Sequence, residues 1–409
     1  MSTTGELFTY PPSREMTCPF DPPPSVIDIA RSDEPIRKVQ IWDGTPAWLV
    51  TRYAEARAVL ADDRFSADPS QPGFPEKSAA YAATVGQDKN LRTLDNPEHD
   101  RQKRMVIRDF TVKRVEAIRP AIQNTVDGLI DDMLTKGAPA DIVTDLAFPV
   151  PTQVICELLG VPYADRTYFG ERSNTCLSRE ATPEEAAQAG KDLYGYLDEL
   201  TDRKIKEPGD DMMSRLAVGQ LAKGELTKKQ VVEMARIMLV AGHETTANMI
   251  ALSTLTLLRH PDQAAEIRDS EHLPFVANAV DELLRYLSVA HTGRRRAALE
   301  DVEIGGVLIR KGDGVIVANN VADRDPDVFD NPFELDIHRP NARSTLAFGY
   351  GIHQCIGQLL SRVELQVVHG TLWRRIPSLR LAVPFDEVRF KDDGSVYGLF
   401  ALPVTWDAE

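Results

Sequence analysis

The sequence predicts a mainly α-helical fold with a minor β portion, and three observations support this class. Helical periodicity covers most of residues 98–287 and returns at 358–373. Strand-like segments are short and lie near residues 39–51 and 305–317. The sequence has no internal repeat, low-complexity tract or interdomain linker, so we expect residues 1–409 to form a single large domain.

The first elements of this domain follow a proline-rich N-terminal segment, 1–35, and open the main fold, 36–409. Two strand-like segments, 39–42 and 47–51, flank the turn signal Asp43-Gly44 and predict a β-hairpin. Predicted helices then cover 53–60, 98–110, 115–135, 151–159, 183–205, 228–259, 261–269, 274–287 and 358–373, and an irregular Asp- and Pro-rich meander occupies 321–340.

The composition excludes several classes of protein and ligand. With 43% hydrophobic and 27% charged residues, the chain is globular rather than disordered or fibrous. A net charge of -15 argues against nucleic acid and anionic membranes as partners, because both attract cationic surfaces. Four widely spaced cysteines without a CxxC pair, and no signal peptide in residues 1–20, indicate reduced thiols in the cytoplasm.

Residues 237–258 are the one segment with the length and apolar character of a membrane span. His243, Glu244 and Asn248 near its middle would be costly in a bilayer. We therefore expect a buried central helix with a functional polar patch, and no membrane association.

The strongest local signal is a glycine-rich loop around Cys355, with the sequence FGYGIHQCIG at 348–357. A thiolate that binds iron must be deprotonated and held by N–H donors, and glycines allow a tight loop to approach a flat macrocycle. The N-terminus of the helix that follows adds positive potential near the sulfur. An arbitrary loop cysteine is usually inert, which is the alternative interpretation.

This loop resembles the haem-binding loop of the cytochrome P450 family, which has a basic residue two positions before the cysteine and a glycine two positions after it. Five positions match that pattern in order, Phe348, Gly351, His353, Cys355 and Gly357, which favours the resemblance over an inert cysteine. The resemblance implies that Cys355 is the proximal ligand of a haem b iron. By the same resemblance, haem binding is assigned to Phe348, Gly349, His353, Cys355 and Gly357.

Within the predicted central helix, Ala241, Gly242, Glu244 and Thr245 resemble the oxygen-binding segment of the same family. Gly242 leaves room for dioxygen. Thr245 can bond back to the carbonyl of Ala241, which would loosen the helix and open a groove for water. Glu244 beside Thr245 then forms a proton route. A polar interruption on a helix surface is the alternative, and the apolar surroundings favour function.

The two haem propionates need cationic or hydrogen-bonding partners, and the resemblance implies that His99 and Arg296 supply them. The family usually has arginine four positions after His99, where this sequence has Lys103. Lysine keeps the charge but not the planar two-donor fork. By the same resemblance, Glu282, Arg285 and Arg339 form a buried network that supports the fold.

A basic cluster in this acidic chain comprises Arg101, Lys103, Arg104, Arg108, Lys113 and Arg114. Part of it is expected to be a solvated helix face. Together with Arg343 and Arg362, which flank the cysteine loop, it suggests a positive surface that docks an acidic ferredoxin-type electron donor.

The resemblance as a whole implies a soluble, monomeric bacterial haem-thiolate monooxygenase. Such an enzyme inserts one atom of O2 into a C–H or C=C bond, with electrons from NAD(P)H through ferredoxin reductase and ferredoxin. The substrate would be a medium-sized lipophilic molecule such as a polyketide, terpenoid, steroid or xenobiotic. Its pocket is expected to draw on residues 73–94, 171–194, 240–245, 289–295 and 399–400.

Two alternatives remain at this stage. The segment from Trp42 to Thr51 also resembles nitric oxide reductases of the same family, which use NADH directly but lack the acid before the helix threonine. Glu244 therefore favours oxygen activation. A haem-binding sensor or carrier without turnover is the second alternative, although a passive binder does not need the Glu244–Thr245 pair.

Overall fold

The structure is a computed structural model and describes residues 7–12, 14, 18–82, 89–177, 182–392 and 396–407. Helices dominate, which confirms the predicted class. They are α1 (Pro24–Arg31), α2 (Tyr53–Ala61), α3 (Ala79–Ala82), α4 (Glu98–Val106), α5 (Val112–Lys136), α6 (Pro149–Leu159), α7 (Arg166–Leu177), α8 (Pro183–Lys206), α9 (Met212–Leu216), α10 (Lys228–Leu258), α11 (Pro261–Asp269), α12 (Leu273–Tyr286), α13 (Asn319–Ala322) and α14 (Gln358–Arg375). The strands are β1 (Ile36–Gln40), β2 (Pro46–Val50), β3 (Phe65–Ser66), β4 (Ala140–Asp141), β5 (Arg294–Ala298), β6 (Val302–Ile304), β7 (Val307–Ile309), β8 (Gly314–Val317), β9 (Arg380–Leu381) and β10 (Pro403–Thr405).

A first compact unit comprises residues 1–101, 278–355 and 390–397 and contains a five-stranded sheet in the order β1-β2-β8-β5-β3. Strands β1 and β2 pair antiparallel, with Val39 opposite Ala47, which confirms the predicted hairpin. Strand β8 runs parallel to β2 and antiparallel to β5. One face of the sheet packs against α2 and the meander, with Phe329 and Leu346 fully buried there.

The network of Glu282, Arg285 and Arg339 is present in this unit, as predicted. Arg285 Nε donates to Glu282 Oε2 over 2.7 Å, and Arg339 Nε donates to the same oxygen over 3.0 Å. All three side chains are at most 4% exposed. Further N–H groups of Arg285 donate to the carbonyls of Asp323 and Pro332, so the network holds the meander in place.

The second compact unit comprises residues 102–277, 356–389 and 398–409 and is built around α10. A capping box begins this helix: the Thr227 side chain accepts from the Gln230 N–H, and the Gln230 side chain accepts from the Thr227 N–H. Residues 246–257 of α10 are buried, so the prediction of a buried central helix is confirmed. Among the described helices, none combines the length and hydropathy of a membrane span.

The boundaries of some elements differ from the prediction. Helix α5 begins at Val112 and continues through Pro120, where the missing N–H removes one helical hydrogen bond without ending the helix. The pairing of the two-residue strands β4 and β9 with β10 was not predicted, because such short strands carry no alternating pattern.

Candidate active site

A backbone hydrogen bond closes the loop that carries Cys355. The Cys355 N–H donates to the carbonyl of Phe348 over 2.9 Å, and the cysteine is exposed. Gly349 and Gly351 have φ of 71° and 74°, values that favour glycine. A Cβ on Gly351 would lie 2.2 Å from the carbonyl oxygen of Leu60, so only glycine fits against α2. The loop therefore presents a thiol on a tight backbone turn.

Helix α14 begins directly after this loop. Gly357 is its N-cap residue, with φ -84° and ψ 6°, so its backbone conformation is open to any residue. The unpaired N–H groups of the first helical turn follow Cys355 closely in the chain, and they favour negative charge.

Two of the predicted haem anchors meet in the first unit. His99, at the start of α4, is buried, and its ring centroid lies 4.3 Å from that of His353. Lys103, four residues further along α4, is partly exposed. The structure thus brings the anchor on α4 together with the basic residue of the cysteine loop.

Strand β5 places two arginines on one face. Side chains alternate along a strand, so Arg294 and Arg296 share a face. Burial lowers the pKa of Arg296 to about 10, and the neighbouring Arg294 acts in the same direction, whereas Asp95 opposes the shift. Arg294 Nη2 donates to the carbonyl of Ala347, next to the cysteine loop, over 3.3 Å.

Arg294 was missed by the sequence analysis, although three consecutive arginines on a strand are a signal. Its Nε is buried and has no hydrogen-bond partner among the described residues. Burial also lowers the pKa of Arg294, and Cys355 opposes that shift. An unsatisfied buried N–H beside a second buried guanidinium fits the carboxylates of a haem.

On α10, the predicted back-bond is present. Thr245 Oγ1 donates to the carbonyl of Ala241 over 2.7 Å, and Asn248 Nδ2 donates to the carbonyl of Glu244 over 2.8 Å. The expected loosening is not seen, because α10 is continuous from Lys228 to Leu258. A threonine hydroxyl reaches the carbonyl four residues back without breaking the helical bond.

The same turn of α10 is open on one side. Ala241 and Gly242 are exposed, although residues 246–257 of the helix are buried. Apart from its chain neighbours and the backbone of its own helix, a Cβ on Gly242 would meet no heavy atom of the described residues within 4 Å. Glu244 and Thr245 are partly exposed. This turn can therefore accept a ligand against its backbone, with a hydroxyl and a carboxylate beside it.

A buried acid behind this turn was not predicted. Glu364 on α14 is 3% exposed, and burial raises its pKa to about 8, whereas a hydrogen bond with Thr246 acts in the opposite direction. Ser361, one turn earlier on α14, accepts a long hydrogen bond from Thr246. A single glutamate in a helical pattern carries no motif that would have identified it.

The predicted positive surface needs correction. Arg362 is 4% exposed and donates to the Gln358 side chain, so it cannot contribute to a docking surface. Its position on α14 turns it toward the protein interior. Arg343 forms an ion pair with Asp281, and Arg101 forms one with Glu98.

The chain as a whole is similar to one family of known proteins. A family model described as Cytochrome P450 matches residues 182–377. Cytochrome P450-SU2 of Streptomyces griseolus is 49% identical over 98% of this chain and 98% of its own. Mycinamicin VIII C21 methyl hydroxylase of Micromonospora griseorubida is 45% identical over 90% of this chain and 92% of its own. The crystal structure of GfsF, a protein of Streptomyces halstedii, matches with a TM-score of 0.94 at 48% identity, over 98% of this chain and 100% of that one.

Proposed function

The chain belongs to the cytochrome P450 family and is a haem-thiolate monooxygenase, and we propose that Cys355 is the ligand of its haem iron. The observation that supports this assignment is the exposed thiol on a loop closed by the Cys355 N–H and shaped by two left-handed glycines. Haem supplies the iron at which O2 is reduced with electrons derived from NAD(P)H. The nitric oxide reductase and carrier alternatives are less well supported, since a relative of this chain is named a hydroxylase.

We further propose that the haem propionates bind to the cations of the first unit. His99 and Arg296 were expected in this role, and His353, which lies beside His99, and Arg294 are the added candidates. Lys103 remains a prediction, as a point charge without the two-donor fork of arginine. Phe348, Gly349 and Gly357 would contribute backbone and packing to the haem-binding loop.

For proton supply, we propose that Thr245 and Glu244 act together. The Thr245 hydroxyl, which donates to the Ala241 carbonyl, has its oxygen available as an acceptor, and Glu244 is partly exposed to water. Gly242 leaves the space in which O2 would be bound. The carboxylate can therefore exchange a proton with solvent and deliver it through the hydroxyl.

The Glu244→Gln variant is expected to lower turnover by roughly 10- to 100-fold, because the amide cannot deliver a proton. Thr245→Val is expected to divert electrons from product to hydrogen peroxide. A matched control is Thr254→Val, since Thr254 makes the same bond to the carbonyl four residues back, over 2.8 Å. The measurement compares O2 consumption, peroxide and product with a lipophilic substrate that shifts the Soret band. Equal coupling in both threonine variants would refute the proton route.

We propose that the substrate is a medium-sized lipophilic natural product. The support is that one relative is named for hydroxylation of mycinamicin VIII. We propose also that residues 1–409 act as one catalytic domain, with 1–35 preceding the fold of 36–409, and that the enzyme is a cytoplasmic monomer. The described cysteines Cys18, Cys156 and Cys355 are free thiols.

Electrons come from a redox partner, and we propose that this partner is a separate acidic ferredoxin that docks at the exposed basic residues Arg108 and Lys113. Neither forms an ion pair with a described residue, whereas Arg114 pairs with Asp210 over 2.8 Å. Unpaired surface cations steer an acidic partner most strongly at low salt.

The double variant Arg108→Gln/Lys113→Gln is expected to reduce the rate of haem reduction by ferredoxin about tenfold at low ionic strength. The difference should vanish at about 1 M salt, where charges are screened within roughly 3 Å. Stopped-flow reduction under carbon monoxide measures both rates. The control is Arg37→Gln on β1, an exposed arginine of the other unit. A salt-independent loss, or an equal loss in the control, would contradict this docking surface.

A further inference from the structure

A cavity of about 340 Å³ lies between α7, α8 and α10 in the second unit. Its walls include Leu193, Leu239 and Val240, so most of its surface is apolar. Leu239 and Val240 directly precede Ala241, the residue whose carbonyl accepts the Thr245 hydroxyl. The volume is at the lower end of the range of about 300 to 1,000 Å³ that is typical of small-molecule sites, enough for one apolar portion of a ligand.

On the face that α8 presents to the cavity, two small residues, Ala187 and Gly190, leave space beside two longer ones. Ala187, Gly190, Lys191 and Tyr194 follow the spacing i, i+3, i+4 and i+7, and all four line the cavity. Residues 178–181, part of the segment expected to form the substrate pocket, lie outside the described residues. The described part of that segment therefore contributes a cavity wall with two long polar side chains.

The polar side chains of this wall differ in whether they have a hydrogen-bond or ion-pair partner among the described residues. Ser173 Oγ donates to the carbonyl of Phe169 over 2.7 Å, and Arg236 forms an ion pair with Glu233 over 2.9 Å. Lys191 Nζ and Tyr194 Oη, by contrast, have no hydrogen bond or ion pair with any residue that the structure describes. The ammonium of the exposed Lys191 and the hydroxyl of the partly exposed Tyr194 are therefore two donors available to a ligand at the solvent side of a mainly apolar cavity.

We propose that Lys191 and Tyr194 bind a carboxylate of the substrate, so that the enzyme acts on lipophilic carboxylic acids. This inference rests on the proposed function and specifies the substrate class of the same site. Lys191 is exposed and Tyr194 is partly exposed, so both donors lie toward solvent at the edge of the cavity, and a ligand that fills the cavity can reach them there. The two oxygens of a carboxylate accept from both donors, and the low polarity of the walls strengthens the charge pair. A neutral ester or amide of the same skeleton can accept hydrogen bonds from these donors, but it carries no negative charge and forms no ion pair with Lys191.

The test uses the haem-loaded full-length protein and three probes with one skeleton: decanoate, decanamide and methyl decanoate. Dissociation constants are measured by isothermal titration calorimetry and by the shift of the Soret band. We expect decanoate to bind more tightly than either neutral probe. Lys191→Gln should weaken decanoate roughly fivefold or more and change decanamide by less than about twofold. Lys191→Arg should restore most of the affinity, and Tyr194→Phe should weaken decanoate to a smaller degree.

Lys206→Gln is the matched control, because Lys206 is an exposed lysine at the other end of α8. The red-shifted carbon monoxide band of each variant reports thiolate ligation separately. A wild-type protein that keeps this band but does not prefer decanoate, or does not bind it below about 1 mM, overturns the inference and leaves the proposed function intact. Equal effects of Lys191→Gln and Lys206→Gln also overturn it. Loss of the band in wild-type protein instead contradicts the assignment of Cys355.

Discussion

Replacing Cys355 by alanine is expected to abolish the red-shifted Soret band of the reduced carbon monoxide complex and to lower monooxygenase turnover by at least about a thousandfold. The thiolate is the group that donates electron density to the iron and favours cleavage of the O–O bond. Alanine keeps the loop backbone, including the N–H at position 355 that donates to the Phe348 carbonyl. The loss should therefore be one of ligation, with thermal stability of the apoprotein nearly unchanged.

The control for this prediction is Cys18→Ala, which removes another free cysteine of the first unit. It should retain the band and full activity. Absorption spectra of the oxidised protein and of the reduced carbon monoxide complex are the measurement. An imidazole-like spectrum in wild-type protein that is indifferent to Cys355 would contradict the ligand assignment and every role built on it.

The parts of the site that could be predicted are those fixed by short-range chemistry. The glycine requirement at Gly351 follows from a tight turn within the loop, and the bond from Thr245 to Ala241 follows from helical spacing alone. Both were visible in the sequence. Both depend on neighbours within a few residues, whereas the close approach of Gly351 to the Leu60 carbonyl is a long-range contact that only the structure shows.

The parts that could not be predicted depend on distant segments. Arg362 was expected at the surface but is buried. Helices that are distant in the chain pack against α14 and determine which of its faces is covered. The burial of Glu364 against Thr246 and the cavity beside Lys191 have the same origin. Arg294 is an intermediate case: strand alternation places it with Arg296, but only the fold shows that its Nε is unsatisfied.

Glu282→Gln is expected to destabilise the protein by about 3 to 5 kcal/mol, the usual cost of breaking a buried ion pair. The substitution removes the carboxylate with which the buried guanidinium groups of Arg285 and Arg339 form their ion pairs. Since a native domain is stable by only about 5 to 15 kcal/mol, we expect a large drop in the urea midpoint and poor recovery of folded protein.

The matched control is Glu116→Gln, which removes the acid of an i, i+3 pair with the same 2.7 Å distance to Arg119 but with side chains 48% and 24% exposed. Exposed pairs contribute less than about 1 kcal/mol, so its urea midpoint should barely change. Urea unfolding followed by circular dichroism compares the two variants directly. Equal midpoints would mean that the hydrogen bonds of Arg285 and Arg339 to meander carbonyls, which survive both substitutions, satisfy these cations without Glu282. A large difference would instead mean that the buried Glu282 carboxylate is needed to hold the meander against α12.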